Sequence, residues 1–193
     1  MESRFVNLPL QAAQKSMLLL EKIAEKTRIN FRSAAVELNG SIDQPVLLAA
    51  VDQLIQHHPL LSAQVSFSPS MGLKIPPTRP RAQDLVFFYS AQTVKNPPPI
   101  HDVANLLETI GQGEFLNKHF DLEKGPLFRF ALIECAPEHY YFVMLFHHII
   151  VDETSIGILC EDLSSAYNAL LAKKPLELPK GLPLSEIVPA ATI

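Results

Sequence analysis

Cysteine is scarce in this chain: only Cys135 and Cys160 occur in 193 residues, far apart and in no metal or redox spacing. A disulfide scaffold is thereby excluded, and free thiols in a reducing cytoplasm are expected. Positive charge is not in excess. Sixteen Lys and Arg against 20 Asp and Glu leave a formal charge of -4, the wrong sign for a nucleic-acid face. No apolar run approaches a membrane span. The longest, YYFVMLF, ends directly at His147 and His148. The short run MLLL near the start is closed by Glu21 and Lys22, so no signal peptide is expected. There is no P-loop and no G-x-G-x-x-G run, which removes nucleotide binding by the common routes. No Ser or Cys lies in a G-x-S-x-G context, so a covalent acyl-enzyme has no support. With 48% hydrophobic and 19% charged residues, one soluble, cytoplasmic, globular domain with a real core is expected.

The elements alternate. LQAAQKSMLLLEKIAEK is rich in strong helix formers and reads as a helix. FRSAAVEL reads as a strand, with NGS at 39–41 as the turn after it. PVLLAAVDQLIQHH follows as a helix capped by Asp43, with Val46, Ala49, Ala50 and Leu54 at helical spacing and Pro59 as its stop. LLSAQVSF reads as a strand, and 68–83, with four prolines, as a loop. DLVFFYS is a strand, NPPPI a break, and VANLLETIGQGEFLNKHF a helix weakened by two glycines. After Gly125-Pro126, LFRFALIEC and YYFVMLFHH form a hairpin across APEH. SIGILCEDLSSAYNALLAKK is the last helix, its apolar stripe being Ile156, Leu159, Cys160, Leu163, Tyr167 and Leu170. A proline-broken tail runs from about 174 to 193. The class is α/β with a mixed sheet flanked by helices.

Chemistry concentrates in HHIIVDETS, residues 147–155. If YYFVMLFHH is a strand, alternation sends His147 and His148 to opposite faces, so they cannot share one task. One ring is packed; the other can reach a cavity at the strand end, where α/β proteins place ligands. Asp152 has the spacing of an N-cap for the helix that begins near Ser155, a purely structural role. A metal site is a further option, but His and Asp give at most three ligands here without an obvious fourth. The other pair, His57-His58, falls at a helix end, where the dipole favours a cation.

HHIIVDETS resembles the H-H-x-x-x-D-G-x-S signature of nonribosomal peptide synthetase condensation domains, within the chloramphenicol-acetyltransferase-like superfamily. Other segments are similar to the family in the same order: LPLQAAQKSMLLLEK to its opening helix, and FRSAAVELNGSIDQPVLLAAVDQLIQHHPLL to its strand, turn, helix and r-H-x-x-L exit. FDLEKGPLFRFALIE resembles its F-D-L-x-x-G-P-L-x-R strand entry, and SIGILCEDLSSAYNALLAKKPLELP its helix after the motif. The resemblance implies one half of a two-lobed, V-shaped fold. It implies that His148 is the catalytic histidine, reached by substrates on the phosphopantetheine arms of peptidyl and acyl carrier proteins. There it would accept a proton from the attacking amine, or orient the amine and steady the tetrahedral intermediate, with no cofactor bound directly. His147, Asp152 and Ser155 would support the loop, Asp152 through an ion pair.

Two departures stand out. Glu153 occupies the motif's usual glycine, where it is expected to bring bulk and negative charge beside His148. The 193-residue chain also ends where the family's first half ends, so residues 1–193 are expected to be an N-terminal subdomain, folding but not catalysing without its C-terminal partner. The expected function is amide formation between carrier-bound acyl or peptidyl and aminoacyl thioesters. The alternatives are an O-acyltransferase of the wax-ester or polyketide-associated type, and a degenerate domain that docks carrier proteins without catalysis.

Overall fold

A computed structural model of the chain describes residues 5–23, 28–68, 71–92, 94 and 98–179. In chain order the elements are β1 (Val6–Pro9), α1 (Ala12–Ile23), β2 (Phe31–Asn39), α2 (Gln44–His57), β3 (Gln64–Ser66) and β4 (Gly72–Ile75). Then come β5 (Val86–Ser90), α3 (Val103–Thr109), α4 (Glu114–Asn117), β6 (Phe128–Ala136), β7 (His139–His147) and α5 (Glu153–Leu171). None of the described helices is long and apolar enough to cross a membrane.

The main sheet has the order β2-β7-β6-β5; its pairs are antiparallel except β5 with β6, so it is mixed, as expected. β6 and β7 form the hairpin across APEH, turning at Glu138, which takes φ 58°. Their continuous apolar sequence has a physical reason: both faces are covered. Phe128, Phe130, Leu132, Phe142, Met144 and Phe146 face a core shared with α2 and α5. Ala131, Ile133, Cys135, Tyr141, Val143 and Leu145 face a second core under α3 and α4.

α2 begins as its sequence suggests, with Asp43 accepting the Val46 N–H at 3.0 Å and proline in the first turn. Its buried stripe is Leu47, Ala50, Val51, Leu54 and Ile55, whereas Val46 is half-buried and Ala49 exposed. The stripe is rotated from the expected one because the helix packs against α5 and shares a core with the sheet. On α5, Ile156, Leu159 and Leu163 are buried as expected, but Asp162 and Ala166 join them, while Cys160, Tyr167 and Leu170 are half-buried.

Three expectations fail. LLSAQVSF is a strand only over Gln64–Ser66, because Pro59–Ser62 forms a 3-10 turn. The loop 68–83 contains β4, which pairs with β3 and with the unforeseen β1 to make a small antiparallel sheet. Such strands are three or four residues long and owe their form to pairing rather than propensity. The helix over VANLLETIGQGEFLNKHF is two helices. Gly111, at φ 74°, ends α3: the Gln112 N–H reaches the Leu107 carbonyl at 2.7 Å and the Gly111 N–H that of Glu108 at 3.0 Å, a Schellman cap. Of the expected tail, 174–179 has no regular structure and 180–193 lies outside the described residues.

Phe146 is fully buried, one residue before the histidines, against Phe128 and Phe130. Phe146→Ala should destabilise the fold by about 3–5 kcal/mol in urea unfolding, because so deep a site cannot collapse onto the space left.

Candidate active site at the end of strand β7

The last residue of β7 and the first beyond it have different surroundings. His147 has no exposed surface. Its Nδ1 accepts the Ile149 N–H at 3.1 Å, so Nε2 carries the proton. That Nε2 is buried without a hydrogen-bond partner; the Glu21 carboxylate is 3.6 Å away, too far for a hydrogen bond but close enough to attract it. Burial pushes the imidazole pKa down, against the pull of Glu21, and His148 adds to the lowering. His147 is thus a neutral packing group, edge-on to Phe31 and Phe120.

His148 is half-buried, and its backbone N–H donates to the Asn30 carbonyl at 2.7 Å. Its ring Nδ1 lies 2.6 Å from the Val151 carbonyl. A carbonyl only accepts, so Nδ1 carries a proton, and in the neutral ring Nε2 keeps the lone pair, the arrangement of an imidazole able to receive a proton. The tight turn 148–150 folds the backbone back to supply this partner three residues on.

Three residues that the sequence did not single out surround the two histidines. Gln14 of α1 donates from Nε2 to the Ile149 carbonyl at 2.9 Å. Asn30, only 4% exposed, donates from Nδ2 to Glu21 at 2.6 Å and to the Met17 carbonyl at 3.2 Å. Glu21, the residue that closes the apolar run MLLL, is the charge nearest the buried His147 Nε2. Their contacts span up to 135 residues, so no local spacing reveals them; the available signal was polar groups on the otherwise apolar α1.

Asp152 is the N-cap of α5. Its Oδ1 accepts the Ser155 backbone N–H at 2.7 Å and the Ser155 hydroxyl at 2.6 Å. Among the described residues it makes no ion pair. The Ser155 hydroxyl and N–H bonds hold its carboxyl below the usual range. Glu153 is the first residue of α5 and is not among those with positive φ, so nothing in the backbone there requires glycine. Its carboxylate pairs with Arg32 of β2, Nε to Oε1 at 3.2 Å, on a side chain 77% exposed. The charge expected to bear on His148 is therefore shared with a guanidinium and screened by water.

Asp152→Ala should remove the cap and cost about 1 kcal/mol near neutral pH. Because the folded carboxyl pKa is depressed, this contribution is complete above the ordinary 3.8 and is lost as pH falls through the lower folded value. Denaturation curves of the two proteins should thus differ near pH 7 and converge in strong acid.

Comparison with known proteins places the chain in a family. The family model described as "Condensation domain" matches residues 6–186. Tyrocidine synthase 3 of Brevibacillus parabrevis is 30% identical over 170 residues, covering 83% of this chain and 2% of the synthase. Bacitracin synthase 3 of Bacillus licheniformis is 28% identical over 159 residues, covering 82% of this chain and 2% of that synthase. Among solved structures, the starter condensation domain of rhizomide synthetase RzmA superposes with a TM-score of 0.75 at 20% identity, over 89% of this chain and 41% of that one. The first condensation domain of the calcium-dependent antibiotic synthetase, solved with a substrate analogue, gives 0.74 at 18% identity, over 90% and 40%. This chain thus spans less than half of those solved chains and a few per cent of the synthases. The residues that set His147 and His148 at the end of β7 are those of a chain that belongs to the condensation-domain family.

Proposed function

We propose that this chain is the histidine-bearing, N-terminal subdomain of an amide-forming condensation domain, an acyltransferase of nonribosomal peptide synthesis working in the cytoplasm. One observation carries the reading: the Val151 carbonyl fixes the proton on His148 Nδ1 and leaves Nε2 basic. The substrates are an acyl or peptidyl thioester and an aminoacyl thioester, each on the phosphopantetheine arm of a carrier protein. The amine nitrogen attacks the thioester carbonyl, a C–N bond forms, the C–S bond breaks and the thiol of the donor arm leaves. His148 Nε2 takes the amine proton or holds the amine and the tetrahedral intermediate in line; either needs a neutral imidazole near physiological pH and no covalent intermediate. His147, Asp152 and Ser155 act through position, the first by filling the sheet's end and the others by starting α5. The other wall of the site belongs to the C-terminal half of the domain.

The test is product formation by the complete synthetase with loaded carrier proteins. His148→Ala should reduce amide formation by at least about 100-fold, the usual contribution of a positioned acid–base group. Undiminished turnover would remove His148 from the chemistry. Ester formation on an alcohol acceptor would instead identify an O-acyltransferase, and carrier binding without turnover by the parent would identify a docking domain. Glu153→Gly, which deletes a carboxylate paired with Arg32, should leave the pH–rate profile in place. A displaced profile would show that this charge reaches His148 after all.

A further inference from the structure

Asp162 is the one charged residue on the buried face of α5, at 6% exposure. A carboxylate removed from water needs partners. Among the described residues its hydrogen bond comes from His58 at the end of α2, Nε2 to Oδ2 at 2.7 Å. The ring of His57 lies beside that of His58, edge to face with centroids 4.8 Å apart. His57 Nε2 is 2.8 Å from the Pro179 carbonyl, which only accepts, so its basic atom is Nδ1. The His-His pair is therefore more than a favourable charge at a helix end. It brings two imidazoles to a buried carboxylate, with one donor atom from each of the three residues within 4.8 Å of the others.

We propose that His57, His58 and Asp162 form a zinc site, with water in the fourth position. Two imidazoles and a carboxylate are the donor set of a borderline divalent transition metal, whereas magnesium and calcium take oxygen. Tetrahedral bonds of about 2.1 Å would put the donor atoms roughly 3.4 Å apart, a closure that rotation of the two half-exposed histidines can supply. A cavity of about 340 Å³ opens beside the cluster, lined by His58, Asp162, Pro179 and Ser155, and gives both an entry path and room for the water. The ion takes the place of the proton between His58 Nε2 and Asp162 Oδ2, and the ring keeps its one N–H at Nδ1; because zinc needs both imidazoles neutral, its affinity falls at low pH. Bound there, it ties the end of α2 to the middle of α5, the helix whose first residues start at the His148 loop. The proposal does not depend on the condensation reaction.

The test is titration of the chelator-treated full chain with zinc chloride, read by calorimetry and by thermal unfolding, with cobalt(II) as a spectroscopic stand-in. One zinc ion per chain should bind with an increase in Tm, and cobalt should give the visible band of a four-coordinate nitrogen and oxygen site. His57→Ala, which leaves the His58–Asp162 pair intact, should weaken binding by more than about 100-fold, a larger loss than removing an outer-shell partner. Its Tm without metal should be that of the parent. Asp162→Asn should also lose zinc; if that variant does not fold, His57→Ala decides. Failure of the parent to bind one zinc ion saturably, or binding by His57→Ala as tight as the parent's, overturns the proposal.

Discussion

Strand β7 is hydrogen-bonded along both edges and covered on both faces, and at its C-terminal end the two neighbours divide the histidines between them. The His147 N–H donates to the Leu127 carbonyl at 2.8 Å, on the β6 side. The next N–H, that of His148, donates to the Asn30 carbonyl at 2.7 Å, on the β2 side. Successive strand residues point their backbone groups in opposite directions, so a chain leaving a sheet this way is fixed from both sides. The turn that follows is then closed by Gln14, the Asn30 carbonyl and the Val151 carbonyl rather than left as a free loop. A site that must hold one imidazole nitrogen in place has its rigidity supplied by the sheet, before any substrate contact.

The two rings share this anchor but are tuned differently. His147 is wholly buried and kept neutral by desolvation, with Glu21 near enough to receive the dipole of its Nε2–H. His148 is held by a neutral carbonyl, not a carboxylate, and that carbonyl sets its tautomer. The acidic groups that follow it in the chain are occupied elsewhere: Asp152 caps α5 and Glu153 pairs with Arg32. Asp152 thus does, in this chain, what its spacing three residues before Ser155 suggests on helix chemistry alone.

Much of this was legible in the sequence for definite reasons. The hairpin of β6 and β7 declares itself because doubly covered strands must be apolar on both faces, and α2 because Asp43 and Pro45 mark its start. The small sheet was not legible: β1 has four residues, mostly exposed, and becomes a strand only because β4 pairs with it. Gly111 breaks a helix that periodicity alone would have continued. At the site, the expected strand ran through His148, but β7 ends at His147 and His148 opens the turn. Glu21, Asn30 and Gln14 were hidden, since the histidine loop they serve is distant in sequence. The burial of Asp162 was hidden for a related reason: only its pairing with His58 makes a charge tolerable on that face.

The Val151 carbonyl fixes neutral His148 as its Nδ1-protonated tautomer, with Nε2 free to take a proton. Long-range 1H–15N correlation spectra of the histidine-labelled chain, recorded above the histidine titration range, measure it directly. The His148 ring should show a protonated Nδ1 and an unprotonated Nε2, and Val151→Pro, which disturbs that turn, should weaken the preference. A His148 ring protonated on Nε2 in the parent chain would contradict it.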